Sequence, residues 1–134
     1  MQLAIPATSV SKSSLWVGRV ISALAVLFML FDGAIKLVKI APVTEAFAHL
    51  GYPESLAITI GTLELVCTAL YVIPRTSLFG ALLLTGFLGG AVSTHVRVGD
   101  PLFPIFFPFL IGAMIWGGLY LTDSRLRVLL APRS

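Results

Sequence analysis

The sequence predicts an all-α integral membrane protein, a bundle of four transmembrane helices in which residues 1–134 form a single domain. The composition is the first reason, because 57% of the residues are hydrophobic, only 11% are charged and the mean hydropathy is +1.00. Soluble domains carry about 25% charged residues, so this chain has too few polar side chains to cover a water-facing globule. The second reason is the presence of four apolar runs, each near the roughly 20 residues that span a hydrocarbon core of about 30 Å.

The four runs cover about residues 17–38, 56–73, 78–95 and 102–121. They are predicted to be helices, because a backbone in lipid must satisfy its own hydrogen bonds, and each run is too continuously apolar for a barrel strand. The first run could instead be a signal peptide, since Ala23-Leu24-Ala25 has the pattern of a cleavage site. That pattern lies inside the run, which is longer than the apolar region of about 7–15 residues in a signal peptide, so a membrane anchor is favoured.

The connection between the first two runs contains its own amphipathic pattern. Val43, Phe47 and Leu50 recur at helical spacing and are followed by Gly51, which predicts one short interfacial helix with a glycine stop. Pro53-Glu54 suits the first turn of the next helix, where proline needs no donor and glutamate meets the positive end of the helix dipole.

Later punctuation predicts the remaining helix ends. Pro74 ends the second run, and Thr76 or Ser77 can cap the third. Pro104 is expected to open the fourth helix and Pro108 to bend it.

The C-terminal segment is expected to lie on the cytoplasmic membrane surface as a short helix. Thr122, Asp123 or Ser124 can end one helix and cap this second one. An apolar face of leucines would meet the membrane, and two arginines would reach lipid phosphates. These residues are Leu126, Leu129, Leu130, Arg125 and Arg127.

The basic residues predict orientation rather than nucleic-acid binding, because they stand at the ends of apolar runs and form no patch. With four spans, one side holds Lys12, Arg19, Arg75, Arg125, Arg127 and Arg133, and the other holds Lys36, Lys39 and Arg97 with Glu45, Glu54 and Asp100. The more basic side faces the cytoplasm by the positive-inside rule. We therefore expect a multi-pass protein of the plasma (inner) membrane with both termini in the cytoplasm.

Ionisable residues inside the spans are the candidates for function, because each is expensive in lipid and rarely faces it. Glu64 lies near mid-membrane, Asp32 and Lys36 are four residues apart in the first run, and His95 and Arg97 end the third. Glu64, Asp32 and His95 are the candidate catalytic groups, and Lys36 and Arg97 are candidate ligand-binding groups. All five are expected to converge inside the bundle.

Two small residues complete the candidate ligand-binding set. Gly61, one turn before Glu64, would leave space beside it, and Cys67, one turn after, would share its face unless it is inert packing. A lone cysteine excludes an intrachain disulfide and a dithiol redox pair. No second histidine stands at metal-ligand spacing from His95, since His49 is remote in sequence, so no metal site is predicted.

Each of these features has a structural interpretation as well. Asp32 can pair with Lys36, and Glu64 with Arg97, His95 or Lys36, merely to fix helix register. A proton or ion path is a further alternative. Gly86 and Gly90 form a close-packing motif for membrane helices that could serve the interior of the bundle or a homo-oligomer.

The order of several short motifs resembles the DoxX-like family of small membrane proteins. They are Gly33-Ala34-Ile35-Lys36, Leu50-Gly51-Tyr52-Pro53, Gly61-Thr62-Leu63-Glu64-Leu65, Phe79-Gly80-Ala81 and the segment from His95 to Pro101. The resemblance implies a four-helix membrane bundle. It also implies a link to membrane oxidoreductase complexes, since the family takes its name from a subunit of a thiosulfate–quinone oxidoreductase.

Three functions follow as hypotheses. The chain can be a binding module or accessory subunit for a lipophilic small molecule, with quinone-linked redox as one form. It can be a membrane enzyme, an isomerase or hydrolase, that uses Glu64, Asp32 and His95 as acid–base groups on an apolar substrate. It can also be a structural or assembly protein. The expected partners are the lipid bilayer, a lipophilic small molecule and a homo-oligomer or membrane complex, with no nucleic acid, and the sequence names no cofactor.

Overall fold

The computed structural model describes residues 11–133 and contains six helices there. They are α1 (Lys12–Val38), α2 (Ala41–Leu50), α3 (Leu56–Val72), α4 (Ser77–Arg97), α5 (Leu102–Thr122) and α6 (Ser124–Leu130). All regular structure in the described residues is helical, which confirms the all-α class.

The four long helices pack as a ring. Helix α1 contacts α3 and α5, and α4 contacts the same two helices, so α1 and α4 lie diagonally opposite each other. The interior is filled by apolar side chains, and the buried polar side chains among the described residues are those of Glu64, Thr68 and Ser77. Its most deeply buried large side chains are those of Met29, Leu84, Ile115, Glu64 and Thr68.

The outward surface of the bundle is apolar, as expected of helices that face lipid rather than water. Exposed large side chains include Leu27, Phe31, Leu63, Phe79 and Phe109. Helices α1, α4 and α5 are long and apolar enough to cross a membrane. Helix α3 is equally apolar but has 17 residues, about 25 Å of helix, which is shorter than a typical hydrocarbon core.

Glycines let the long helices approach closely at three places. A Cβ atom on Gly118 would lie 2.1 Å from Ser22 Oγ of α1, and one on Gly80 would lie 2.2 Å from the backbone nitrogen of Tyr71. Gly61 gives the third contact, between α3 and α1. The Gly86–Gly90 motif does not pack inside the bundle, because a Cβ atom on either residue would meet nothing within 4 Å.

The start of one helix and the role of one proline differ from the sequence-based prediction. Helix α1 begins near residue 12 rather than 17, because the Ser11 hydroxyl accepts a hydrogen bond from the Ser14 backbone N–H and caps a polar first turn. Helix α5 begins at Leu102, with Pro101 as its N-cap, so Pro104 does not open it. Proline is tolerated in a first turn, where no intrahelical partner for the missing N–H is lost.

The first connection forms one short helix, α2, with the predicted glycine stop. Its Val43 and Phe47 are buried against Ala57 of α3, and it ends at Gly51, whose φ of 78° lies in the left-handed region. This region favours glycine, because a Cβ atom there is strained.

Helix α6 also forms where it was predicted, and the Asp123 carboxylate caps it by accepting from the Arg125 N–H at 2.9 Å. The predicted face of three leucines is divided, however. Leu126 is buried in the core of the bundle, whereas Leu129 and Leu130 are exposed. The arginines are engaged within the chain, since Arg125 donates to the Pro74 carbonyl at 2.8 Å and Arg127 to the Tyr120 carbonyl at 2.7 Å.

Candidate functional site

A cavity of about 630 Å³ lies between the C-terminal halves of α1 and α4, the N-terminal parts of α3 and α5, and the overlying α2. We call it the Glu64 cavity. Most of its lining is apolar or aromatic, including Phe28, Phe87, Phe103 and Phe107. The polar lining side chains are those of Asp32, Lys36, Tyr52, Glu64, Thr94 and His95. An apolar cavity with a few convergent polar groups is the usual form of a small-molecule site.

Lys36 lies between two carboxylates at this cavity. Its Nζ is 2.5 Å from Asp32 Oδ2, one helical turn earlier on α1, and 2.6 Å from Glu64 Oε2 on α3. The same Nζ lies 5.6 Å from the centre of the Phe87 ring on α4. The predicted pairing of Asp32 with Lys36 is confirmed, and the partner of Glu64 is Lys36, one of the predicted alternatives.

Glu64 is the most buried member of this group. Its side chain is fully buried, whereas 14% of the Lys36 side chain and 32% of the Asp32 side chain are exposed. Its second oxygen, Oε1, has no hydrogen-bond partner, and it is the only such buried side-chain atom in residues 11–133. Buried polar atoms are nearly always satisfied, and an unsatisfied one costs about 1–3 kcal/mol. Because Glu64 lines the cavity, its orphaned oxygen is a polar atom that a molecule bound there could satisfy once the side chain turns toward it.

A close helix contact places Lys36 and Glu64 together. A Cβ atom on Gly61 would lie 2.9 Å from the Gly33 carbonyl oxygen and 2.9 Å from Lys36 Cβ, so α1 and α3 nearly touch there. The expectation that Gly61 leaves space for a ligand is wrong, because helix α1 fills that space. Gly61 instead sets the spacing that lets the Lys36 ammonium reach Glu64, one turn further along α3.

A second polar cluster joins α2 to the loop after α4. His49 Nε2 lies 2.5 Å from Asp100 Oδ1, and His95 Nδ1 lies 2.6 Å from Asp100 Oδ2. These hydrogen bonds, first from His95 and then from His49, hold the pKa of the Asp100 carboxyl below its usual value. His95 thus lines the Glu64 cavity with one ring nitrogen already hydrogen-bonded. His49, which is remote in sequence, contacts the other oxygen of the same Asp100 carboxylate.

Arg97 does not pair with Glu64. As the last residue of α4, it donates to the Leu50 carbonyl at the end of α2 and lies 6.0 Å from the centre of the Tyr52 ring. Tyr52 in turn forms a hydrogen bond with Thr94 at 2.9 Å between their hydroxyl oxygens. Arg97 therefore fixes α2 over the cavity from outside, and the predicted convergence holds for Asp32, Lys36, Glu64 and His95 but not for Arg97.

Cys67 also lies away from the cavity. Its side chain is buried in the hydrophobic core with Met29, Tyr71 and Leu84, which agrees with its interpretation as packing. Sequence reasoning missed the roles of Asp100 and His49. Asp100 stands in the His95–Pro101 segment that carries the family resemblance, so that segment held a signal, whereas nothing in the sequence pairs it with a histidine on α2.

The arrangement can bind a polar group at the end of an apolar chamber, and it can exchange protons through two carboxylates. Within residues 11–133, no group of three or more His, Cys, Asp or Glu side chains is placed to hold a metal ion. The residues that the cavity does offer are one ammonium, two carboxylates, a histidine and aromatic rings.

Comparison with known proteins agrees with the fold and identifies the family. The profile of the DoxX-like family matches residues 20–118, which include four long helices in whole or part and every polar residue of the Glu64 cavity. No curated protein and no solved structure gives a significant match to the chain. A small, all-helical chain with apolar helices that can cross a membrane, matched over most of its length by this profile, is a membrane protein of the DoxX-like family.

Proposed function

We propose that the chain binds a lipophilic small molecule in the Glu64 cavity, as a binding module or accessory subunit of the membrane. The observation that carries the proposal is the Glu64 carboxylate, which is fully buried, belongs to the lining of an apolar cavity of about 630 Å³ and keeps one oxygen, Oε1, without a partner among the described residues. If its charges served only to fix helix register, the structure would gain nothing from leaving one oxygen unpaired.

The proposal places all four long helices across the bilayer. Helix α3 packs along both α1 and α4, each of which is long enough to span, and a membrane can thin locally around a short helix. The Lys/Arg asymmetry then puts both termini in the cytoplasm of a plasma (inner) membrane and the cavity in the opposite half of the bilayer. Ligand would enter from the bilayer or the outer face.

The chemical identity of the ligand is less constrained. A quinone of a redox complex is one candidate, which rests on the resemblance to a family named after a subunit of a thiosulfate–quinone oxidoreductase. The enzymatic alternative, an isomerase or hydrolase with Glu64, Asp32 and His95 as acid–base groups, draws on the same cavity. The contacts favour a binding role over catalysis, because each of the three proposed acid–base groups already has a partner. Lys36 contacts both Asp32 and Glu64, and Asp100 contacts His95.

A cavity-filling substitution tests the proposal. Gly90 of α4 lines the cavity, and a Cβ atom there meets nothing within 4 Å, so Gly90→Leu puts a side chain into open space without a clash. Gly117→Leu is the matched control, since Gly117 of α5 is equally open and does not line the cavity. Both variants should fold, because leucine is a better helix former than glycine by roughly 1 kcal/mol.

The probe is tritiated dodecanol, measured by scintillation proximity with the protein in phosphatidylcholine nanodiscs. We expect saturable binding to the native protein and to Gly117→Leu, and a loss of about tenfold or more in affinity with Gly90→Leu, which corresponds to roughly 1.4 kcal/mol. Identical, non-saturable signals from all three proteins would refute the proposal.

A further inference from the structure

The charges at the Glu64 cavity do not balance. Asp32 and Glu64 each bring a carboxylate, and among residues 11–133 the one ammonium that contacts them is that of Lys36. The two nearby histidines contact a third carboxylate, Asp100, rather than Asp32 or Glu64. With its acidic and basic side chains ionised, the Asp32–Lys36–Glu64 group carries one negative charge in excess. Such an excess is costly in an apolar setting unless a proton or a bound cation compensates it.

The hydrogen bonds show where the compensation is missing. Lys36 donates to Asp32 and to Glu64 Oε2, and its Nζ also lies over the Phe87 ring. The Lys36 ammonium is therefore already engaged by these three side chains. Glu64 Oε1 receives no donor. A ligand that completes this group would supply both a hydrogen-bond donor and a positive charge at Oε1.

We infer that the Glu64 cavity selects lipophilic amines, bound as ammonium ions with an N–H donated to Glu64 Oε1 and the apolar tail in the cavity. The inference rests on the proposed function and names its ligand class. The aromatic lining suits such a ligand, because Phe28, Phe87 and Phe107 offer both apolar area and ring faces that attract cations. A carboxylate ligand would be repelled by the same two acidic side chains.

Three probes with the same twelve-carbon chain isolate the head group. Dodecylamine, dodecanol and dodecanoate are each used to displace tritiated dodecanol from the protein in nanodiscs of zwitterionic phosphatidylcholine. We expect dodecylamine to displace it at a concentration about tenfold or more below that of dodecanol, since hydrogen bonds between charged groups are about twice as strong as neutral ones. Dodecanoate should be the weakest of the three.

Substitutions then assign the preference to the named residues. Glu64→Gln keeps the size of the side chain and removes its charge, so the ratio between amine and alcohol should fall to about one while dodecanol still binds. Glu54→Gln is the control, because Glu54 is an exposed carboxylate in the turn before α3. Asp32→Asn provides a second variant on a partly exposed residue should Glu64→Gln prove unstable, and it should also reduce the ratio.

The outcomes separate the two proposals. Saturable dodecanol binding with equal or weaker displacement by dodecylamine would overturn the amine inference and leave the binding function intact. An amine preference that survives both Glu64→Gln and Asp32→Asn would overturn it as well. If tritiated dodecanol shows no saturable binding, the proposed function itself is refuted.

Discussion

Replacement of Lys36 by methionine removes the one cation that contacts Asp32 and Glu64, with little change in side-chain length. At 2.6 Å, the Lys36–Glu64 attraction is about 6 kcal/mol for an effective dielectric constant of about 20, before any desolvation cost. The net effect is smaller, and removal of one partner of a buried pair destabilises by about 3–5 kcal/mol. The Asp32 contact adds less, because a third of that side chain is exposed and screened by solvent.

We therefore expect Lys36→Met to lower the free energy of unfolding by about 3–5 kcal/mol, nearly all of it through Glu64. The double variant Lys36→Met/Glu64→Leu should recover most of that loss, since apolar replacement of a whole buried pair is often neutral. Equilibrium unfolding in mixed micelles, followed by tryptophan fluorescence from Trp16 and Trp116, measures both values.

The control for this experiment is Lys12→Met, at an exposed lysine on the first turn of the same helix, which should change stability by less than about 0.5 kcal/mol. The reasoning is refuted if Lys36→Met costs less than about 1 kcal/mol, or if the double variant is no more stable than the single one.

Three further predictions concern packing, pH and topology. Gly80→Ala should destabilise by about 1–3 kcal/mol, since its Cβ would lie 2.2 Å from the Tyr71 backbone, whereas Gly117→Ala, in open space, should not; thermal melting compares the two variants. Because the folded pKa of Asp100 is depressed, its contribution to stability is complete above about pH 4 and is lost as the pH falls through the folded pKa. The melting-temperature difference between the native protein and Asp100→Asn should therefore shrink below about pH 4, and a constant difference would contradict this. A reporter active only outside the cytoplasm should stay silent when fused to Ser134, and strong activity would reverse the proposed orientation.

The helical architecture was largely predictable, because hydropathy and helix punctuation are local properties of the chain. The apolar runs, the glycine stop at Gly51 and the Asp123 cap each depend on a few adjacent residues. The error at the start of α1 has a local cause as well. The polar turn after Ser11 extends α1 beyond its apolar run, and a prediction from hydropathy does not include polar turns.

The glycines show why packing was harder to predict. Gly86 and Gly90 have the spacing of a close-packing motif, yet a Cβ atom on either would meet open space. Gly61 was expected to create space, and α1 occupies it. Spacing along one helix tells which residues share a face, but the neighbour on that face is set by the packing of the whole bundle.

The sequence alone determined that this protein is a small helical membrane protein with costly charges inside its spans, since burial in lipid constrains composition directly. It also placed Asp32, Lys36, Glu64, His95 and Arg97 in one region from their common depth, although Arg97 lies outside the cavity. Only the tertiary structure decided which charges meet, because partner choice depends on how closely two helices approach and how they rotate. Because α1 and α3 are in contact at Gly61, Lys36 pairs with Oε2 of Glu64. The second oxygen of this cavity-lining residue, Oε1, is left without a partner among the described residues.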